Sequence, residues 1–235
     1  MPDRVSPDHH SPDESMTRPA AYDLIAFDLD GTIVDDTVFV WETLHDYFKT
    51  PVPMREMAFR KYMDQSWTYE DWFEFDIRML LERGANRSGI QKAIAGMRLM
   101  EGVFETLAAL RNGGATLILL SGSLDVVLEK FGLEKCFDEV YLNRLQFNDA
   151  GDLVGWTHTP YDVFDKAVGL KAVADRMGIP MERTAFIGDN FNDVAVARVA
   201  GCSIAFNCKS DELASVADHM VPGGDLRAVL PLLQS

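Results

Sequence analysis

Tyr22-Asp23-Leu24-Ile25-Ala26-Phe27-Asp28-Leu29-Asp30-Gly31-Thr32 is the stretch whose reading decides the fold. A run rich in apolar residues that stops at paired carboxylates reads as a strand of a parallel sheet, buried on both faces and delivering the acids to its mouth. In open α/β sheets, ligands sit beyond the carboxyl ends of such strands. Residues two apart on an extended chain point the same way, so Asp28 and Asp30 can address one ligand, while Gly31 lets the chain turn away tightly. Neighbouring carboxylates repel unless a cation joins them. Oxygen ligands suit a hard ion such as Mg²⁺, and an Mg²⁺ site beside a strand mouth suits phosphate. Taken alone, the same pair also fits an acidic turn after any strand.

Composition narrows the classes. With 235 residues and 47% hydrophobic content, the chain can fill one full core plus a smaller domain. A net charge of −15 disfavours nucleic acid and anionic membranes as partners, since both attract basic surfaces. No apolar run approaches the roughly 20 residues of a membrane span, and the N-terminus lacks a basic region followed by an apolar core, so a cytoplasmic location is expected. The three cysteines, Cys136, Cys202 and Cys208, have no CxxC spacing and read as free thiols rather than a disulfide framework or zinc site.

Residues 1–20 carry Pro, Asp, Ser and His without apolar periodicity and are expected to form a disordered tail, with His9 and His10 as solvated residues of it. Between 37 and 100 the pattern is helical only, in segments 39–48, 55–63, 69–81 and 88–98. This is a helical insertion after the first strand. It holds Trp41, Trp67 and Trp72, which are expected to build its own small core with some aromatic rings facing a ligand.

From Val103 helix and strand alternate. A helix over 103–111 precedes an apolar strand over 115–120, which meets Ser121-Gly122-Ser123 ahead of a helix over 124–131. Such a turn offers backbone N–H groups and a hydroxyl to an anion, although a plain N-cap explains either serine as well. Segments 139–147 and 152–157 read as an edge hairpin. A helix over 162–177 carries Lys166 and Lys171, one of which can supply the missing positive charge. The strand 184–187 then enters Gly188-Asp189-Asn190-Phe191-Asn192-Asp193, a second acidic mouth whose Asp189 and Asp193 can add a cation ligand and a partner for a lysine.

Strand-DxDGT, strand-SGS, helical Lys and strand-GDNxND, in this order, resemble the haloacid dehalogenase superfamily, specifically its phosphoserine phosphatase-like phosphatases. The resemblance runs from Tyr22 to the C-terminus and includes Met100-Glu101-Gly102-Val103, Leu142-Asn143-Arg144-Leu145 and Ile204 to Lys209. It implies an α/β fold, a Rossmann-like parallel sheet flanked by helices, with core 21–36 and 101–235 and a small helical cap over 37–100 inserted after the first strand. It also implies an Mg²⁺-dependent phosphatase acting on a small-molecule phosphomonoester through an aspartyl-phosphate. Asp28 is then the nucleophile and Asp30 the acid and base. Mg²⁺ is held by Asp28, the Asp30 carbonyl and Asp189, and phosphate by Ser121, Gly122 and Lys166. Lys166 is preferred to Lys171 by the same resemblance, Asn192 orders the metal or phosphate shell, and Asp193 positions Lys166. A phosphomutase and a non-catalytic phosphate-binding module are the alternatives on this scaffold. Where phosphoserine phosphatases carry a cap glutamate and a cap arginine that read serine, this chain has Thr37 and Glu74, so phosphoserine is expected to be a poor substrate.

Overall fold

A computed structural model describes residues 18–235. The tail expected over 1–20 therefore lies outside the described residues, His9 and His10 included, except for its last three positions. Those are placed against the opposite end of the chain: Ser235 N donates to Pro19 O at 2.9 Å, and Ala20 forms an isolated antiparallel bridge with Gln234.

The first strand, β1 (Leu24–Phe27), is buried along its whole length. After Gly31 come a two-residue strand, β2 (Val34–Asp35), and four helices, α1 (Val40–Phe48), α2 (Val52–Met63), α3 (Tyr69–Glu82) and α4 (Arg87–Ala93). The helix expected over 88–98 stops at Ala93, because the chain returns as β3 (Arg98–Leu99), antiparallel to β2. This little ribbon ties the two ends of the insert together. The second half runs α5 (Val103–Asn112), β4 (Thr116–Leu124), α6 (Asp125–Phe131), β5 (Glu139–Phe147), β6 (Leu153–Thr157), α7 (Lys166–Met177), β7 (Thr184–Gly188), α8 (Val194–Ala197), β8 (Cys202–Phe206), α9 (Asp211–Val216), β9 (His219–Val221) and α10 (Leu230–Leu233).

Seven strands form one sheet in the order β6-β5-β4-β1-β7-β8-β9, parallel except for β6, which folds back on β5. Register explains the site. Phe27 at the end of β1 lies opposite Leu119 of β4 and Ile187 of β7, so Asp28, Ser121 and Asp189 leave the sheet at neighbouring levels. Both faces are covered, as a parallel sheet requires. Ile25, Phe27, Leu117 and Leu119 pack with Val103 and Leu107 of α5, while Leu24, Ala26, Ile118 and Leu120 pack with Leu170 and Val173 of α7.

The insert's helices join the first of these clusters through Leu44, Phe73, Ile77, Leu80 and Ile90. Thr68 and Asp71 form a reciprocal capping box that fixes the start of α3. Lys130 of α6 donates to the carbonyls of Ile94 and Ala95 at 2.9 and 3.1 Å, and to that of Met97, closing the turn after α4. Among the described residues no helix is long and apolar enough to cross a membrane.

Candidate active site

Asp28 follows directly on β1 and is 3% exposed. Its N–H donates to Ile187 O at 2.9 Å, which locks the loop to β7. Lys166, the first residue of α7, is completely buried, and its Nζ donates to Asp28 Oδ1 and to Asp193 Oδ1, both at 2.7 Å. Burial alone works against an ammonium, but Asp193, Asp28 and Asp162 outweigh it and hold Lys166 above the ordinary lysine range. The helix expected from 162 starts at 166 because 162–165 turn tightly, with Val163 in the left-handed region at φ 41°. That turn aims Lys166 at the strand mouths, whereas Lys171, on the same helix, is exposed.

Asp30 has a different environment. Its Oδ1 accepts from Ser123 Oγ at 2.8 Å and its Oδ2 from the backbone N–H of Val40 at 2.7 Å. Burial pushes its carboxyl up to about 7, with the charge of Asp28 adding to the rise and the two hydrogen bonds opposing it. Two carboxylates on one short loop thus have separate chemistry: one clamped by a cation, one poised to exchange a proton near neutrality.

At the second acidic mouth, Asp193 uses both oxygens, Oδ1 for Lys166 and Oδ2 for the N–H groups of Asp189 and Asn190 at 2.9 and 3.2 Å. Asp189 is 1% exposed; Lys209 Nζ reaches its Oδ2 at 2.8 Å, while Oδ1 is buried without a partner. Burial, then Asp28 and Asp193, raise its carboxyl. Gly31, at φ 76°, is needed here, since a Cβ would run into the Asp189 carboxylate and the Lys209 ammonium.

Ligand oxygens of Asp28, Asp189 and Asp193 lie within 4.8 Å of one another. An orphaned buried carboxylate oxygen in an all-oxygen cluster fits a hard divalent cation. Asp193 joins the cluster in space but is saturated by its hydrogen bonds. The side chain of Asp30 is turned toward Ser123 and Val40.

The strand β4 continues through Ser121-Gly122-Ser123 instead of ending at Leu120, with an irregularity in its pairing to β5 over this stretch. Ser121 is 2% exposed, and its Oγ accepts from Ser123 N at 3.2 Å. Gly122 O is gripped twice, by Trp41 Nε1 at 2.9 Å and Asn143 Nδ2 at 2.7 Å. Asn143 is completely buried and also receives Thr159 N at 2.8 Å, so it ties β5 and the segment before α7 to this turn. Asp162 presses its carboxyl onto Gly122 so closely that any Cβ there would overlap it. Burial raises the Asp162 carboxyl, and Lys166 opposes the rise. Asn192 is buried, with its Oδ1 unpartnered. One cavity of about 620 Å³ is lined by Asp28, Asp30, Ser121, Gly122 and Asn192, with Lys166 behind Asp28.

A family model for haloacid dehalogenase-like hydrolases matches residues 22–201. The chain belongs to that family. Among its relatives, the phosphoserine phosphatase of Methanocaldococcus jannaschii is 28% identical over 218 residues, spanning 90% of this chain and 97% of that protein. Phosphoserine phosphatase SerB2 of Mycobacterium tuberculosis is 31% identical over 212 residues, spanning 89% of this chain and half of that longer protein. A solved phosphoserine phosphatase holding a phospho-aspartyl intermediate analogue superposes with a TM-score of 0.69 at 25% identity, covering 91% of this chain and 99% of the other. The mostly parallel seven-stranded sheet flanked by helices agrees with this kinship, and the chain is a hydrolase whose relatives cleave phosphoric monoesters.

Within this hydrolase fold, the helices of 37–100 roof the cavity but do not bring Thr37 or Glu74 to it. Thr37 Oγ1 pairs with Thr43 Oγ1 at 3.1 Å and borders an adjoining pocket that shares Phe39, Glu42 and Asp46 with the cavity. Glu74 points outward and binds Arg78 at 2.7 Å. The roof instead presents His45 from α1, Arg55 from α2, and Trp72 and Asp76 from α3. Two of these were detectable in the sequence. His45 shares the face of Trp41, Leu44 and Phe48, and Asp76 falls in the apolar series Phe73, Ile77, Leu80, where a charge on a buried helix face calls for a reason.

Proposed function

We propose that the chain is an Mg²⁺-dependent phosphatase that hydrolyses a small-molecule phosphomonoester in the cytoplasm, without nucleic-acid or membrane partners, through a phosphorylated Asp28. The core is 21–36 and 101–235, the roof over 37–100 is its cap, and 1–20 is a tail. The observation that carries the reading is the division of labour between Asp28, clamped by Lys166, and Asp30, held protonatable near pH 7.

Asp28 attacks phosphorus while Ser121, the Gly122 N–H and Lys166 hold the remaining phosphate oxygens. Asp30 gives its proton to the departing alkoxide and then takes one from the water that attacks the aspartyl-phosphate, which returns Asp28 free and Asp30 protonated. Asp193 keeps Lys166 in place, and Asn192 orders the ligand shell. Asp28, Asp189 and the Asp30 carbonyl are the groups that would hold Mg²⁺, which when bound supplies neutralisation of phosphoryl charge. Because Thr37 and Glu74 stand where the serine-reading pair is expected, and neither lines the cavity, phosphoserine is a poor substrate in this reading.

Phosphate release from a panel of phosphomonoesters, phosphoserine included, with Mg²⁺ and then with EDTA, tests the proposal. Metal-dependent release that disappears in Asp28→Asn is expected. Transfer of phosphate between two positions of a sugar without net release would instead identify a mutase.

A further inference from the structure

The helical insert reaches the Ser121-Gly122-Ser123 turn through its first helix. Val40, which opens α1, gives its N–H to Asp30 Oδ2 at 2.7 Å, and the next residue, Trp41, gives its indole Nε1–H to Gly122 O at 2.9 Å. A carbonyl oxygen has two lone pairs, and Asn143 Nδ2 takes the other at 2.7 Å. Asn143 is itself fixed: it is completely buried, its amide also gives to Tyr69 Oη at 2.8 Å, and its Oδ1 receives Thr159 N at 2.8 Å. Tyr69 begins α3, and Phe73, one turn on, stacks on Tyr69 at 6.4 Å and meets Trp41 edge to face at 5.5 Å. Two helices of the insert, α1 and α3, therefore converge on one backbone carbonyl.

That carbonyl shares its peptide with the N–H of Ser123. Ser123 N donates to Ser121 Oγ at 3.2 Å, and Ser123 Oγ donates to Asp30 Oδ1 at 2.8 Å. Donors on a peptide oxygen polarise the N–H at its other end, and linked hydrogen bonds in a dry interior strengthen one another. Because its oxygen accepts from Ser123, the Ser121 hydroxyl still has its proton to give. Both serines are buried, and both line the cavity that Trp41 also borders. A chain of contacts thus runs from Trp41 and Asn143, through the Gly122–Ser123 peptide, to Ser121 Oγ. The ring of Trp41 suffices for its contact with Phe73, so the indole N–H does a separate job at Gly122.

We propose that Trp41 is a positioning residue for phosphate: its N–H, together with Asn143, fixes the Gly122–Ser123 peptide so that Ser121 offers its hydroxyl proton to a phosphate oxygen. This rests on the phosphatase reading above, in which Ser121 and Gly122 hold phosphate, and the test separates the two. Trp41→Phe keeps a ring against Phe73 and removes the donor. Benzothienylalanine at the same position keeps both fused rings and puts sulfur in place of the N–H. Calorimetry with inorganic phosphate and Mg²⁺ compares wild type, each variant, Ser121→Ala and the combinations with Ser121→Ala. Loss of the N–H should weaken phosphate binding by about threefold to tenfold, the worth of one hydrogen bond, but by less than about twofold where Ser121 is already replaced. In turnover, kcat/KM for p-nitrophenyl phosphate and for two alkyl phosphates with unlike alcohols should fall by the same factor, and the pH profile set by Asp30 should stay in place. Equal losses with and without the Ser121 hydroxyl would make Trp41 a packing residue. A loss confined to one ester would make it a reader of the alcohol, and no loss in either variant would leave its N–H without a role. Each of these overturns the proposal, while metal-dependent turnover by the wild type leaves the phosphatase reading standing. Phosphate binding unaffected by Ser121→Ala alone would overturn the placement of phosphate in that reading, and this proposal with it.

Discussion

Replacing Lys166 with Met should unfold the protein more easily at pH 8 than at pH 5. Lys166 Nζ is completely buried, 2.7 Å from oxygens of both Asp28 and Asp193. At an effective dielectric of about 20, each contact represents roughly 6 kcal/mol of gross attraction, against a desolvation cost of several kcal/mol per ion. Removing the cation leaves the attraction unmade and the carboxylates still buried, a loss of about 3–5 kcal/mol. The sign of the pH effect follows from the carboxylates. Asp193 is already raised by burial to about 6 with Lys166 present, and Asp189 is raised beside it. Without the lysine they rise further, so the folded variant binds more protons than its unfolded chain above the ordinary carboxylate range of about 4. A group with a raised folded pKa contributes stability that is complete below its unfolded pKa and is lost as pH rises through the folded one. Urea unfolding of wild type and Lys166→Met in EDTA, at pH 5 and pH 8, measures both quantities. A loss under about 1 kcal/mol at both pH values, or the same loss at each, would refute the reasoning.

Other consequences concern the neighbours of this pair. Asp30→Asn should slow both half-reactions, but in a single-turnover experiment the release of p-nitrophenol, which needs no proton, should fall far less than that of an alkyl alcohol, which should slow by about 10²–10⁴-fold; equal slowing of the two release steps would remove Asp30 from the acid role. With the carboxyl raised to about 7, wild-type turnover of alkyl esters should fall as pH rises past neutrality, where the acid form is depleted. Gly122→Ala should nearly abolish activity and destabilise the fold, since its Cβ overlaps the Asp162 carboxyl, whereas Gly122→Ala,Asp162→Gly should recover stability in urea. Mg²⁺ at a hundred times its dissociation constant should raise the melting temperature by about 5–10 °C, and Asp189→Asn should abolish the rise.

The sheet and both acidic mouths were legible because burial on two faces and abrupt polar ends are local signals, repeated at Leu24–Phe27 and Thr184–Gly188. Helices of the insert were legible to within a few residues because Trp41, Leu44 and Phe48, or Phe73, Ile77 and Leu80, recur at helical spacing. The ribbon of Val34–Asp35 with Arg98–Leu99 was not, since two residues show no period and only the tertiary fold brings them together. The same holds for the start of α7. Its delay to Lys166 comes from a tight turn with a left-handed valine, which no sequence rule favours at Val163. Asn143 and Asp162 owe their place to contacts across the fold with Gly122 and could not be read from local pattern. Thr37 and Glu74 lie away from the cavity because α1 and α3 turn other residues inward, so the cap's chemistry was visible only as a histidine and an aspartate on apolar faces.

The central claim is that phosphate passes through Asp28. Acid quenching of the enzyme during turnover of a ³²P-labelled ester, followed by peptide mapping, tests it most directly. Label on the peptide containing Asp28, absent from Asp28→Asn and from enzyme incubated with labelled phosphate and EDTA, is the expected result. Steady phosphate release with no labelled peptide, or with the label on any other residue, would contradict the account.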